Sequence, residues 1–89
     1  TQRELRTQLR EAHGLLTAAL SDARTLETQV LPKMKTVREG TEARYAAGDL
    51  SLGEVLSVRR DDAAVRLRYL EALRDTMLAW AELRPFLKP

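Results

Sequence analysis

Arg44-Tyr45-Ala46-Ala47-Gly48-Asp49-Leu50-Ser51-Leu52-Gly53-Glu54-Val55-Leu56 decides the fold of this chain, because it ends one helix and starts another within a few residues. Gly48 is the helix-ending residue, since glycine alone enters the left-handed conformation there without steric cost. Ser51 with Glu54 forms a capping box: the serine hydroxyl accepts from the new first turn and the glutamate reaches back to the serine N–H. Leu50 and Val55 occupy the two positions of a hydrophobic staple across that cap. Only Asp49 and Leu50 clearly lie between the helices. So short a connection sets the two helices antiparallel and side by side.

Upstream of this turn, the first arm runs from about residue 2 to 47. Leu5, Leu9, Ala12, Leu16, Ala19, Ala23, Leu26 and Val30 recur at spacings of four and three, one apolar seam on a helix. Pro32 interrupts the signal, because it lacks an N–H and disfavours the α conformation at Leu31. The interruption is either a kink in one long helix or a break that makes a third, short helix. Leu31-Pro32-Lys33 carries no Gly, Asn or Ser to make a turn, which favours the kink. Met34, Val37 and Tyr45 are expected to continue a weaker stripe toward the tip.

The tip covers 48–51, and the second arm runs from about residue 52 to 84, with Pro85 expected to end it. Leu56, Ala63, Leu67, Leu70, Leu73, Met77 and Trp80 make one stripe along this arm. Val55, Val58, Val65, Tyr69, Ala72, Ala79 and Leu83 make a second beside it. Two stripes are wider than one partner helix covers. Arms of about 46 and 33 helical residues would span about 70 and 50 Å, so the first overhangs the second by roughly a dozen residues. Both excesses point to packing into a helical bundle by self-association or against further parts of a longer chain. The expected fold is an all-α, coiled-coil-like, long antiparallel hairpin occupying 1–89 as a single unit, kinked or broken near Pro32.

Bulk properties narrow the function. An 89-residue chain has too thin a core for an enclosed active site. Its apolar residues are mostly Leu, Ala and Val, with one Trp, one Phe and two Tyr, the composition of helix seams. The formal charge of +2 is a near cancellation, poor grounds for nucleic-acid or anionic-lipid binding. No cysteine is present, so disulfides and thiolate metal sites are excluded. No apolar run approaches the ~20 residues of a membrane-spanning helix. The chain opens on Thr1, which reads as an excised or processed piece of something longer.

No catalytic constellation emerges: no cysteine nucleophile, no Ser–His–acid set with a cleft, no glycine-rich phosphate loop. An enzyme is not expected, nor a cofactor. His13, the single histidine, lacks the clustered donors that zinc or copper needs, so no metal site is expected. Met34 and Met77 read as core. Arg59-Arg60-Asp61-Asp62 is self-neutralising. The pairs Asp62–Arg66, Lys35–Glu39 and Arg38–Glu42 read as helical ion pairs on solvated faces. Tyr69 and Trp80 are too far apart to form a base-stacking platform.

The ordered set Tyr45-x-x-Gly48-x-x-Ser51-x-x-Glu54-Val55-Leu56 resembles the hairpin tip of TolC-like outer-membrane efflux proteins, most closely their heavy-metal and cation branch. Ala23-Arg24-x-Leu26 and Val30-Leu31-Pro32 resemble the arm entering that tip. Arg68-Tyr69-Leu70-x-Ala72-Leu73 with Ala79-x-x-Glu82-Leu83 resembles the arm leaving it, so the likeness covers roughly 20–84. It implies a periplasmic part of a Gram-negative outer-membrane protein, in an oligomer whose long helices form an efflux duct. It also implies a periplasmic adaptor protein as partner. Tyr45, Gly48, Asp49, Leu50, Ser51 and Leu52 would lie at or beside the docking surface. The family's β-barrel strands and second hairpin are not in this chain. Nucleic acid is not an expected partner, nor is direct membrane insertion by this segment. The alternative is a free-standing, dimerising helical-bundle scaffold or regulatory interaction module.

Overall fold

In the computed structural model, which describes residues 1–87, the chain is an all-α helical hairpin, with no strand among the described residues. Helix α1 covers Gln2–Thr25, a π-helical turn covers Leu26–Val30, α2 covers Leu31–Ala46 and α3 covers Leu52–Leu87. The chain divides into two compact units, Thr1–Arg24 with Leu70–Pro89, and Thr25–Tyr69.

The unit Thr25–Tyr69 holds the hairpin turn. Its seam is built by Leu26, only 2% exposed, and by half-buried Val30, Met34 and Thr41 on the first side. Buried Val55 with half-buried Val58, Val65 and Tyr69 faces them from α3. The interruption expected near Pro32 takes the form of the π-turn just before it. Leu31 donates its N–H to the Leu26 carbonyl five residues back, and the backbone stays right-handed helical through Val30 and Leu31. In an unbroken α-helix the Pro32 ring would collide with the carbonyl four residues earlier. The wider π-turn removes that collision without breaking the helix.

The π-turn also moves the seam. A strict continuation from Leu26 and Val30 would bring Lys33, Val37, Gly40 and Arg44 inward. One absorbed residue rotates the remainder of the arm by about 100°, so Met34, Arg38 and Thr41 face inward instead. The stripe expected through Val37 is therefore corrected: Val37 is 49% exposed and Arg38 takes its place.

The unit of Thr1–Arg24 with Leu70–Pro89 closes on small side chains. Ala12 and Ala23 of α1 and Ala72, Ala79 and Leu83 of α3 are its buried residues. Half-buried Thr76 fits this apolar seam because its hydroxyl donates to the Ala72 carbonyl at 2.8 Å. Leu16 is half-buried, whereas Leu5 stays 55% exposed, so the overhang leaves only the start of α1 uncovered. Helix α3 continues through Pro85 to Leu87 rather than stopping at Arg84. Pro85 gives up its ladder bond to the Ala81 carbonyl, and the added turn half-buries Phe86 beside Ala12 and Leu15.

Candidate interaction surfaces

At the tip the backbone closes α2 with a complete Schellman motif. Gly48, at φ 81°, is the one positive-φ residue described. Its N–H donates to the Tyr45 carbonyl at 3.0 Å, and the Asp49 N–H to the Arg44 carbonyl at 2.8 Å. These two bonds satisfy carbonyls that the last turn of any helix leaves unpaired. Two residues later the capping box is formed in both directions. The Glu54 N–H donates to Ser51 Oγ at 3.2 Å and the Ser51 N–H to Glu54 Oε2 at 3.1 Å. Leu50 is half-buried and Val55 is 3% exposed, as a staple across the cap requires.

The six tip residues divide by this geometry. Gly48, Asp49 and Ser51 are exposed, with their backbone groups held by the turn. Leu50 is turned inward. Tyr45 and Leu52 are 45% and 56% exposed, so they are the large hydrophobic side chains left at the surface of the tip.

Away from the tip, the Thr25–Tyr69 unit carries a polar cluster within its seam. Asp62 is 8% exposed and accepts from Arg38 across the hairpin at 3.4 Å. Arg66, one turn along α3, is paired with the same Asp62 oxygen at 3.2 Å. The expected Asp62–Arg66 pair is present, but Asp62 is not on a solvated face, and Arg38 turns to Asp62 across the hairpin, not to a solvated face with Glu42. The Lys35–Glu39 pair is present at 4.0 Å with both side chains well exposed. A signal for Asp62 was in the sequence: Val55, Val58, Val65 and Tyr69 alternate by three and four only if position 62 fills the gap.

Tyr69 is half-buried and donates its hydroxyl to Glu27 Oε2 at 3.4 Å. Desolvation, then the charge of Glu27 and the hydrogen bond to it, raise the phenol pKa above the ordinary 10.0. Each favours the neutral phenol over the phenolate.

The two α3 stripes have opposite fates. The Val55-to-Leu83 stripe is the seam, and the Leu56-to-Trp80 stripe is left outside. In one unit Leu52, Leu56 and Leu67 are 56%, 45% and 56% exposed. In the other, Leu70, Met77 and Trp80 are 60%, 70% and 46% exposed. Met77 is thus surface, correcting the expectation that it is core; Met34 is half-buried in the seam. Full burial of such a side chain is worth about 1.5–3 kcal/mol, so covering each half-exposed one offers about 1 kcal/mol.

Among the described residues no group of three or more His, Cys, Asp or Glu side chains is placed to hold a metal ion. No described helix is long and apolar enough to cross a membrane. Comparison with family models, with curated proteins and with solved structures gave no significant match.

Proposed function

We propose that this hairpin is the periplasmic helical segment of an outer-membrane efflux duct, its tip docking to a periplasmic adaptor protein of a tripartite pump. The observation that carries the reading is the pairing of a fully capped tip with an apolar α3 stripe left outside the hairpin seam. A duct wall needs both, because its hairpins pack sideways on neighbouring helices while their tips meet a separate protein. The ordered likeness from Ala23 to Leu83 supports the same reading. Conduction in the assembled parent is passive, and Tyr45 and Leu52 contribute the apolar part of helix-to-helix packing at the tip.

The test presents the hairpin as a trimer and measures capture of the helical hairpin of a cation-efflux adaptor. Capture is expected, and Gly48→Trp should weaken it while far-ultraviolet helicity stays largely intact. Capture that is absent, or that is unchanged by Gly48→Trp, overturns the docking reading. The parent reading frame supplies an independent check: it should encode a second related hairpin and alternating strand-rich segments. A parent lacking both, with the hairpin forming a discrete dimer, establishes instead the free-standing scaffold.

A further inference from the structure

The unit of Thr1–Arg24 with Leu70–Pro89 carries charge of opposite sign on its two sides. One side is a continuous groove in which Leu15 and Glu82 line both halves. Its floor includes Leu15, Ala18 and Leu78, and its charged lining residues are Glu11, Asp22, Asp75 and Glu82. Every described charge lining it is a carboxylate, although Arg74 offsets Asp75 from beside it at 3.2 Å.

The other side has the reverse character. Leu9, Leu83 and Leu87 line a groove with Arg6, Arg10 and His13, and no described carboxylate lines it. Helix geometry places the two sets on opposite flanks. Glu11, Leu15, Ala18 and Asp22 each precede a seam residue of α1 (Ala12, Leu16, Ala19, Ala23). Arg6, Arg10 and His13 each follow one (Leu5, Leu9, Ala12). On α3 the residues following the seam positions are Leu73, Met77, Trp80 and Arg84, so the exposed apolar stripe runs along the basic flank.

We infer that two copies of this chain pack side by side in a heterologous contact, the basic flank of one against the acidic groove of the next. Both surfaces have an apolar strip edged by charge, and the charges are complementary between flanks and repulsive within one. Self-pairing of like flanks would bring Arg6 and Arg10 against their own copies, or Glu82 and Asp22 against theirs. A heterologous contact leaves one unused flank of each sign at the ends, so it adds further copies or closes into a ring. This inference concerns self-packing of the chain and holds whether or not the tip docks to an adaptor.

The test uses two charge-reversed forms of the full chain, altered only at exposed positions. Arg6→Glu with Arg10→Glu makes both flanks acidic; Glu11→Arg with Asp22→Arg and Glu82→Arg makes both basic, since Asp75 is already offset by Arg74. By sedimentation at low ionic strength the wild type should associate, and added salt should weaken it. Each reversed form alone should associate at least about tenfold more weakly. Mixing the two in equal amounts should restore association as a hetero-complex, with circular dichroism unchanged throughout. A monomeric wild type at high concentration overturns the inference. So does a reversed form that associates like the wild type, or a mixture that stays dissociated while both components remain helical.

Discussion

Gly48 sits at φ 81° with no heavy atom within 4 Å of where a Cβ would stand, so the backbone alone opposes a side chain there. Gly48→Ala should cost about 1 kcal/mol in urea denaturation and leave the helical signal in place. Ser51→Ala removes the acceptor for the Glu54 N–H and should cost a similar amount, about 1 kcal/mol. Both roles were legible in the sequence, because a Schellman glycine and a capping box depend on residues a few positions apart. Tyr69 was not legible in this way: its partner Glu27 lies forty-two positions earlier. Its raised pKa means the folded state disfavours the phenolate. Stability is then unaffected below pH 10, the ordinary value, and falls as pH rises from there through the folded value. In the Tyr45→Phe background, tyrosinate absorbance should rise above pH 10.0, and Glu27→Gln should move that rise to lower pH. A titration unmoved by Glu27→Gln would remove Glu27 as a cause and leave desolvation alone to account for the shift.

Within the helices, the seam phase is set by the π-turn and the Arg38–Asp62 pair together. Arg66 also reaches Asp62 but travels on the same helix, so only Arg38 ties the phase of α2 to α3. Asp62→Ala should destabilise by about 1–3 kcal/mol, since it strands Arg38 half-buried in the seam. Replacing both partners, Arg38→Met with Asp62→Leu, should recover most of that loss. A double variant as unstable as the two single losses added would show that the pair acts independently at each end. The arms themselves were readable from the alternation of three and four. The phase beyond Pro32 was not, because Val37 is the more apolar residue and only the partner helix makes Arg38 the better one inward.

For the whole chain, the single tryptophan reports on self-association. Trp80 is 46% exposed and lies on the basic flank of α3. Its fluorescence should shift to the blue as protein concentration rises, and added salt should reverse the shift. An emission maximum independent of concentration in the range where sedimentation detects association would place Trp80 outside the contact. The order of residues is enough to establish that the chain is a two-arm hairpin, where it turns, and that its second arm carries more apolar surface than one helix covers. Those features rest on local signals: caps, a left-handed glycine and helical periodicity. Packing of the two arms was needed to select which α3 stripe forms the seam, to admit a carboxylate into it, and to leave Met77 and Trp80 outside. The physical reason is that two adjacent stripes look alike by periodicity, and the choice belongs to the facing helix, whose phase is reset by one residue at Leu26–Val30.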